Sequence, residues 1–469
     1  MKKNIWYIIY IIVFVGALAS LSLLMPFVKS DMSKEKRTAA AFPKPVTEKG
    51  INLKFFKQLD DYFSDNFAFR QELSTADALL KAKLFKTSNQ ERVVLGSDGW
   101  LYYSESMHDY LGDDVISKRR AWRTARVMKL LQEHCEKKGI KFLFTVAPNK
   151  HTLYPEHMPA NYLKTDTETN YDLMLNAVGE LEVNFIDLRA AFLSDDRVMY
   201  HKYDSHWNNE GATYAVDKML NAVDKTHYSY ESEPYRTEKV HRGDLYNIIY
   251  PSIDELDENV IYDKEHEYVY IGPYSDVEDP MLMTKCAGKE GSLVMFRDSY
   301  GNASIPYIAD EYGDGTFTKG QPADLDLVDT KNADTVIYEI VERNIPWITE
   351  YVPYMDAPER EIEGMIEEAE HSDTTAHVED RGKRYLIYGH VEDAFCNRDS
   401  SIYVRITDGD GNAHFYEAFP AEYEQSKEDY EGDNPYGMYI DKTLLPEGAA
   451  ISVITYKNGI YYNHSVEVN

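Results

Sequence analysis

Cysteine is scarce in this chain, with three residues (Cys135, Cys286 and Cys396) among 469. They lie far apart, which excludes a disulfide framework and the close ligand spacing of a metal site, so we expect buried free thiols and no bound metal. Positive charge is also in short supply. Fifty lysines and arginines against 80 acidic residues give a net charge of −30. This balance argues against a nucleic-acid partner and against adhesion to anionic lipid.

Charged residues are absent from residues 5–28, which follow Lys2 and Lys3. An apolar run of this length can cross a bilayer as a helix, and it exceeds the core of about 15 apolar residues in a typical signal peptide. We therefore predict an uncleaved membrane anchor over residues 1–29 of a single-pass protein of the cell membrane. Cleavage near residues 39–41 is the alternative. Residues 30–50 are predicted to form a stalk, with the main domains outside the cytoplasm.

Short apolar runs alternate with helix-like stretches between residues 51 and 355. Residues 140–147, 292–296 and 335–341 have the composition of buried strands, and residues 119–138 have helical periodicity. A helix that leads into a buried strand is the unit of an α/β sheet. The pattern predicts an α/β fold with a doubly wound sheet.

The composition of the sequence changes after residue 355. Residues 356–381 contain ten acids against two bases, which predicts a solvated helix and linker. Residues 382–469 then alternate apolar and polar residues between Asp-Gly and Glu-Gly turns, as in a small β-sandwich. Tyrosine is abundant throughout, at 38 residues, and a tyrosine face suits sugar surfaces. We expect this C-terminal region to bind glycan or a partner protein.

One candidate catalytic element combines Asp204, His206 and Trp207. In an extended backbone, Asp204 and His206 point the same way, so the carboxylate could orient the imidazole. Trp207 could wall off such a site. The alternative is a surface turn with a solvated His206.

Two further apolar strands end in polar side chains. Residues 292–296 lead to Ser299, at the edge of the sheet where ligands of open α/β sheets bind. A helix starting near Gly301 would bring backbone N–H groups to a developing oxyanion, although Asp298 or Ser299 could simply cap that helix. Residues 140–147 lead to Asn149 and Lys150, which could contact substrate or polarise a carbonyl, or belong to an ordinary loop.

Together, residues 204–207 (Asp-Ser-His-Trp), 298–300 (Asp-Ser-Tyr) and 99–102 (Gly-Trp-Leu-Tyr) resemble the DHHW-motif proteins and the SGNH-hydrolase-like O-acetyltransferases of alginate biosynthesis. The Asp-x-His element precedes the serine, as in the circularly permuted catalytic motifs of the alginate group. The resemblance implies that Ser299 is the nucleophile, His206 the general base and Asp204 its orienter. Tyr300 would lie beside substrate. Arg343 would be a substitute oxyanion donor, because Glu342-Arg343 stands where glycine and asparagine are expected.

The resemblance also implies an activity. It predicts cofactor-free acetyl transfer to a cell-surface or secreted polysaccharide through an acyl-serine, with a membrane-bound O-acyltransferase as the acetyl donor. A polysaccharide acetyl esterase and a non-catalytic glycan-binding or assembly protein are the alternatives.

Overall fold

The computed structural model describes residues 2–29, 38–47, 50–422 and 434–467. Within these ranges the α-helices are α1 (Lys2–Leu24), α2 (Phe55–Asn66), α3 (Arg70–Phe85), α4 (Met107–Leu111), α5 (Lys118–Lys137), α6 (Lys150–Leu153), α7 (Asn170–Glu180), α8 (Leu188–Leu193), α9 (Asn209–Ala222), α10 (Asp244–Ile249), α11 (Gly301–Ala309) and α12 (Asp326–Thr330).

The strands before residue 350 are β1 (Val46–Thr47), β2 (Gly50–Ile51), β3 (Val93–Leu95), β4 (Leu101–Tyr103), β5 (Lys141–Ala147), β6 (Phe185–Ile186), β7 (Tyr235–His241), β8 (Asp257–Tyr262), β9 (Tyr268–Ile271), β10 (Met281–Cys286), β11 (Ser292–Phe296), β12 (Asp314–Thr318) and β13 (Thr335–Val341). Those after it are β14 (Glu359–Arg360), β15 (Ile366–Glu368), β16 (His377–Arg381), β17 (Arg384–Val391), β18 (Ile402–Thr407), β19 (Ala413–Glu417), β20 (Asn434–Asp441), β21 (Ala450–Lys457) and β22 (Ile460–Ser465).

Helix α1 contains the uncharged segment. Residues Ile5–Leu24 are long and apolar enough to cross a membrane, a test that a signal sequence at the N-terminus also passes. A spanning segment is therefore supported, whereas its retention in the mature protein stays a prediction. Residues 30–37 and 48–49 of the predicted stalk lie outside the described residues.

A seven-stranded sheet forms the centre of the molecule, in the order β6-β5-β13-β11-β12-β10-β9. The five strands from β6 to β12 in this order are parallel to one another. Strand β10 pairs antiparallel with β12, and β9 pairs antiparallel with β10. Apolar clusters lie on both faces, one with residues of α5 and α7 and the other with residues of α8, α9 and α11. The predicted doubly wound α/β fold is confirmed. Its parallel register places the carboxyl ends of β5, β13 and β11 side by side.

The sequence explains these elements locally. Strand β13 is buried at all seven positions, as expected of a central strand covered by helices on both faces. The Ser117 side chain accepts a hydrogen bond from the Arg120 backbone N–H and so caps α5. Helix α5 then buries an apolar stripe against the sheet.

The C-terminal region is the predicted β-sandwich. A six-stranded sheet (β14-β19-β18-β21-β22-β15) and a three-stranded sheet (β16-β17-β20) share one apolar cluster, which includes Ile387, Val404 and Met438. The helix predicted within residues 356–381 is wrong, because this segment contributes β14, β15 and β16. Its acidic side chains are mostly exposed on short strands at the sheet edges, where charge is compatible with strand structure.

The β-sandwich packs against α5. Leu386, Phe419 and Tyr439 belong to the same apolar cluster as the α5 residues. Beside it, the Glu417 carboxylate accepts hydrogen bonds from Arg126 Nη2 (2.5 Å) and Arg360 Nε (2.8 Å). The domain boundaries inferred from the sequence stay predictions.

Candidate active site

Ser299, His206 and Asp204 form a continuous hydrogen-bonded relay. Ser299 lies between β11 and α11, and its Oγ is 2.9 Å from His206 Nε2. His206 Nδ1 is 2.6 Å from Asp204 Oδ1. A proton on Nδ1 satisfies the contact to the carboxylate and leaves Nε2 able to accept from the serine. The three residues predicted as catalytic therefore meet at the carboxyl edge of the sheet.

The backbone around Asp204 is a turn and not the extended segment that we expected. Asp204 Oδ1 also accepts the backbone N–H of His206 at 3.0 Å. One carboxylate oxygen thus holds both the main chain and the ring of the histidine. The turn therefore brings the side chains of Asp204 and His206 together, which we had expected an extended backbone to do.

The second carboxylate oxygen of Asp204 accepts hydrogen bonds from another part of the chain. Oδ2 accepts from His241 Nε2 (2.9 Å) and from the Asp244 backbone N–H (3.0 Å). His241 stacks on His201 with ring centroids 3.6 Å apart. Neither histidine is predicted from the sequence, because neither follows a buried strand or belongs to the Asp-x-His element.

The opposite charges of the Asp204 carboxylate and its histidine partners set the direction of the pKa shifts in the relay. Burial disfavours ionisation of Asp204, but His206 and His241 outweigh it and hold the pKa of the carboxyl well below its usual range. Burial likewise opposes the charge on His206, and the Asp204 carboxylate outweighs it and raises the pKa of the imidazole. The site is therefore built to stabilise an imidazolium at His206.

Asp298 and Glu339 fix the serine loop to the neighbouring strand. Asp298 accepts the backbone N–H of Tyr300 (2.9 Å) with Oδ1 and that of Val341, at the end of β13, (2.7 Å) with Oδ2. Buried Glu339 accepts from the backbone N–H of Asp298 (3.3 Å). A Cβ at Gly301 would lie 2.7 Å from the Arg297 side chain, so glycine permits this close packing. Asp298 thus connects the loop after β11 with the end of β13, and its role is more than that of a helix cap.

Trp207 and Tyr300 pack beside the relay and hold its two loops together. Trp207 is buried and donates from Nε1 to the Tyr300 carbonyl at 3.0 Å. Tyr300 donates its hydroxyl to the Ser205 carbonyl at 2.7 Å, and its ring lies 4.8 Å from that of His206. These contacts connect the serine loop with the Asp-x-His turn. Both residues lie near the site, and their polar side-chain atoms are bonded within the protein.

The Lys150 side chain also forms its hydrogen bonds within the protein. Its buried Nζ donates to the carbonyls of Leu101 (2.7 Å), Lys202 (2.9 Å) and Asp204 (2.9 Å). Burial lowers the pKa of this amine to about 7. The geometry favours a role in holding the Asp204 turn over contact with substrate.

Asn149 and Arg343 lie on the side of the site that Tyr103 and Tyr300 border. Asn149 donates from Nδ2 to Asp109 (2.9 Å), but its buried Oδ1 has no hydrogen-bond partner within the described residues. The Arg343 guanidinium lies over the rings of Tyr103 (5.1 Å) and Tyr300 (5.7 Å). Both residues line a small cavity that Ser205 and Tyr300 also border.

A larger cavity of about 440 Å³ lies beyond Asn149. Asp109 and Glu342 line it, and both contact Asn149, whose backbone N–H donates to Glu342 Oε2 at 2.7 Å. Burial is the main cause that raises the pKa of Asp109 to about 6 and that of Glu342 to about 7. Arg189 and Lys164 also line the cavity. The cavity is polar and large enough for a sugar residue.

A metal ion would compete with the relay. Asp204, His206 and Asp244 offer ligand atoms within 4.8 Å of one another. His206 Nδ1 and Asp204 Oδ1 are, however, in direct contact at 2.6 Å, so a cation between them would have to separate the pair. The donor set fits a hydrogen-bonded relay better than a coordination site.

Comparison with known proteins confirms the resemblance drawn from the motifs. Residues 93–260 match a family described as "SGNH hydrolase-like domain, acetyltransferase AlgX". The matched range includes Asp204 and His206 and ends before Ser299.

Similar proteins include two named "Probable alginate O-acetylase AlgJ". That of Pseudomonas fluorescens is 25% identical over 225 residues, covering 46% of this chain and 55% of its own length. That of Pseudomonas syringae pv. tomato is 25% identical over 263 residues, covering 54% and 62%. Among solved structures, a DHHW family protein from Eubacterium siraeum aligns with a TM-score of 0.37 and 18% identity, over 47% of this chain and 85% of that one. The chain thus spans little more than half the length of these curated relatives.

Proposed function

We propose that this chain is an extracytoplasmic, serine-dependent O-acetyltransferase that modifies a cell-surface or secreted polysaccharide. The relay of Ser299, His206 and Asp204 carries the proposal, because it aligns a nucleophile, a base and an orienting carboxylate within hydrogen-bond distance. The AlgX-type domain match supports acetyl as the transferred group.

In the first half-reaction, His206 Nε2 removes the Ser299 hydroxyl proton while Oγ attacks the acetyl carbonyl carbon of the donor. The carbonyl oxygen becomes an oxyanion, for which Arg343 is the proposed side-chain donor. When the oxyanion collapses, the bond to the donor oxygen breaks and the His206 proton passes to that oxygen. Acetyl-serine remains, and Asp204 has stabilised the transient imidazolium.

In the second half-reaction, His206 removes a proton from an acceptor sugar hydroxyl. The sugar oxygen attacks the acetyl-serine carbonyl, the Ser299 ester bond breaks, and Oγ takes back the proton. Water in place of the sugar would make the protein an esterase, and the partly buried Ser299 and His206 admit either acceptor. A membrane-bound O-acyltransferase is the proposed source of acetyl groups, which α1 would keep close to the membrane.

We assign the larger cavity to the acceptor. Its carboxyl groups at Asp109, Asp166, Asp172 and Glu342 outnumber the cations Lys164 and Arg189. Carboxyl groups accept hydrogen bonds from sugar hydroxyls, and above the raised pKa values of Asp109 and Glu342 their carboxylates also repel uronate groups. The proposed acceptor is therefore an uncharged glycan and not a polyuronate such as the alginate in the relatives' names.

Intact-mass spectrometry of the purified chain after incubation with p-nitrophenyl acetate tests the nucleophile. We expect one acetyl group, mapped to Ser299 and absent from Ser299→Ala. Ser304→Ala is the matched control, since it removes a buried hydroxyl from the next turn of α11. Equal labelling of the Ser299→Ala protein would overturn the proposal.

A second assay tests the acceptor. Cello-oligosaccharides and mannuronate oligomers are compared as acceptors from the acetylated enzyme. Transfer to the uncharged sugars should be faster. Release of acetate to water alone, with every sugar inert, would favour an esterase, whereas faster transfer to mannuronate would refute the assignment of the cavity.

A further inference from the structure

Helix α3 exposes its large apolar side chains and buries its small ones. Thr75 and Ala78 are buried, and Ala78 packs against Leu245 and Ile249. The large apolar side chains exposed on α3 are Leu79 (48% exposed), Phe85 (67%), Leu73 (46%), Leu80 (57%) and Leu84 (62%). The last three, Leu73, Leu80 and Leu84, lie opposite the buried pair. A helix that only covered the domain would show the reverse arrangement.

These leucines form one stripe together with Phe69, which precedes α3. Spacings of seven and four residues place Leu73, Leu80 and Leu84 on the same helix face, and Phe69 lies four residues before Leu73, next to the first turn of the helix. Phe69 itself is 42% exposed and has a left-handed backbone (φ 60°), which a bulky residue rarely adopts. We call Phe69, Leu73, Leu80 and Leu84 the leucine face.

The leucine face begins beside the apolar N-terminal helix. The backbone N–H of Ala68, between α2 and α3, donates to the Leu21 carbonyl in the last turn of α1 at 3.2 Å. If α1 spans a bilayer, this contact places the α2–α3 junction at the level where the span ends. Phe56 of α2, 82% exposed, adds to the apolar surface nearby.

Charge in this region differs from that of the whole chain. Residues 51–86 contain six basic and five acidic residues, a net charge of +1, against −30 overall. Lys81, Lys83 and Lys86 flank the C-terminal end of the leucine face. Leucines bordered by lysines are typical of a helix that lies in the interfacial layer of a membrane.

We propose that the leucine face of α3 lies in the lipid headgroup and acyl boundary, as a second membrane contact beside α1. The domain is then held at a fixed tilt and cannot swing freely on its N-terminal segment. The proposal is independent of the acetyl-transfer chemistry.

Labelling of the full chain in phosphatidylcholine nanodiscs tests this contact. The three native cysteines are buried, so a single cysteine introduced by Leu84→Cys can be labelled selectively with an environment-sensitive NBD fluorophore. Leu163→Cys is the matched control, because Leu163 is 77% exposed and lies outside the leucine face.

With doxyl-labelled lipid, quenching at position 84 should exceed that at position 163 by about threefold or more. Equal quenching at the two positions would overturn the proposal. Efficient disulfide cross-linking of unlabelled Leu84→Cys chains would also overturn it, because the face would then pair with a second copy. Leu80→Cys, one turn earlier, repeats the test on an independent variant.

Discussion

The charge of Asp204 can be removed with almost no change of shape by Asp204→Asn. In the proposed reaction, an imidazolium forms at His206 while its Nδ1 lies 2.6 Å from Asp204 Oδ1. Charge centres about 4 Å apart at an effective dielectric constant of about 20 interact by about 4 kcal/mol. Since about 1.4 kcal/mol corresponds to a factor of ten in rate, kcat should fall by about 10³-fold.

The pH profile supplies a second readout of the same substitution. Because Asp204 raises the pKa of His206, the neutral base accumulates only as pH rises through that raised value. Without the carboxylate the pKa of His206 falls. The rising limb of kcat against pH should therefore move to lower pH in Asp204→Asn, while the plateau is reduced.

The assay is release of nitrophenolate from p-nitrophenyl acetate between pH 5 and 9, with circular dichroism as a check on folding. Asp244→Asn is the matched control, because it removes the same charge at a carboxylate 4.0 Å from His206 Nδ1. Its loss should remain below about tenfold, since that group is partly exposed and more strongly screened. A folded Asp204→Asn protein whose kcat stays within tenfold of the wild type would refute the role given to this carboxylate.

Three stability predictions follow from buried polar groups. Burial raises the pKa of Glu342 from 4.5 to about 7, so its contribution to stability is full below about pH 4.5 and is lost as pH rises through 7. Glu342→Gln should raise the free energy of unfolding in urea by about 1–3 kcal/mol at pH 8 but little at pH 4, and equal shifts at both pH values would contradict this. Lys150→Met deprives three backbone carbonyls of their donor and should lower the free energy of unfolding by about 3 kcal/mol or more, whereas an unchanged urea midpoint would exclude the bracing role. Glu417→Gln leaves Arg126 and Arg360 with Glu133 as their shared carboxylate and should cost about 1.5–3 kcal/mol in the same assay, with an unchanged urea midpoint counting against the buried ion pair.

Strand composition predicted the core of the fold correctly. The runs that became β5, β11 and β13 are nearly continuous in apolar residues, because these strands are covered on both faces. The same reasoning failed at β14, β15 and β16. Their glutamates point to solvent at sheet edges, so composition alone does not distinguish these strands from a solvated linker.

The site was predictable where its residues follow strands or lie close together in the chain. Asp204, His206 and Ser299 met that condition, and the structure brings them together. His241 did not, because only the folding of the β7 segment back onto the turn brings it to Asp204. Lys150 stands in the expected place, but the carbonyls that it binds come from 49 to 54 residues away, and no local pattern reveals them.

The order of strands in the central sheet also determines when activity can appear as the chain emerges. Strand β11, which precedes the nucleophile, lies between β12 and β13, and β13 in turn pairs with β5, about 190 residues earlier in the chain. Such distant pairing closes late, because the loop entropy must be overcome before the contacts form. Asp298 is tied to the backbone of Val341, so the serine loop lacks its support until β13 is in place. A nascent chain shorter than about 341 residues should therefore contain Ser299 and His206 without the backbone contact that supports the serine loop.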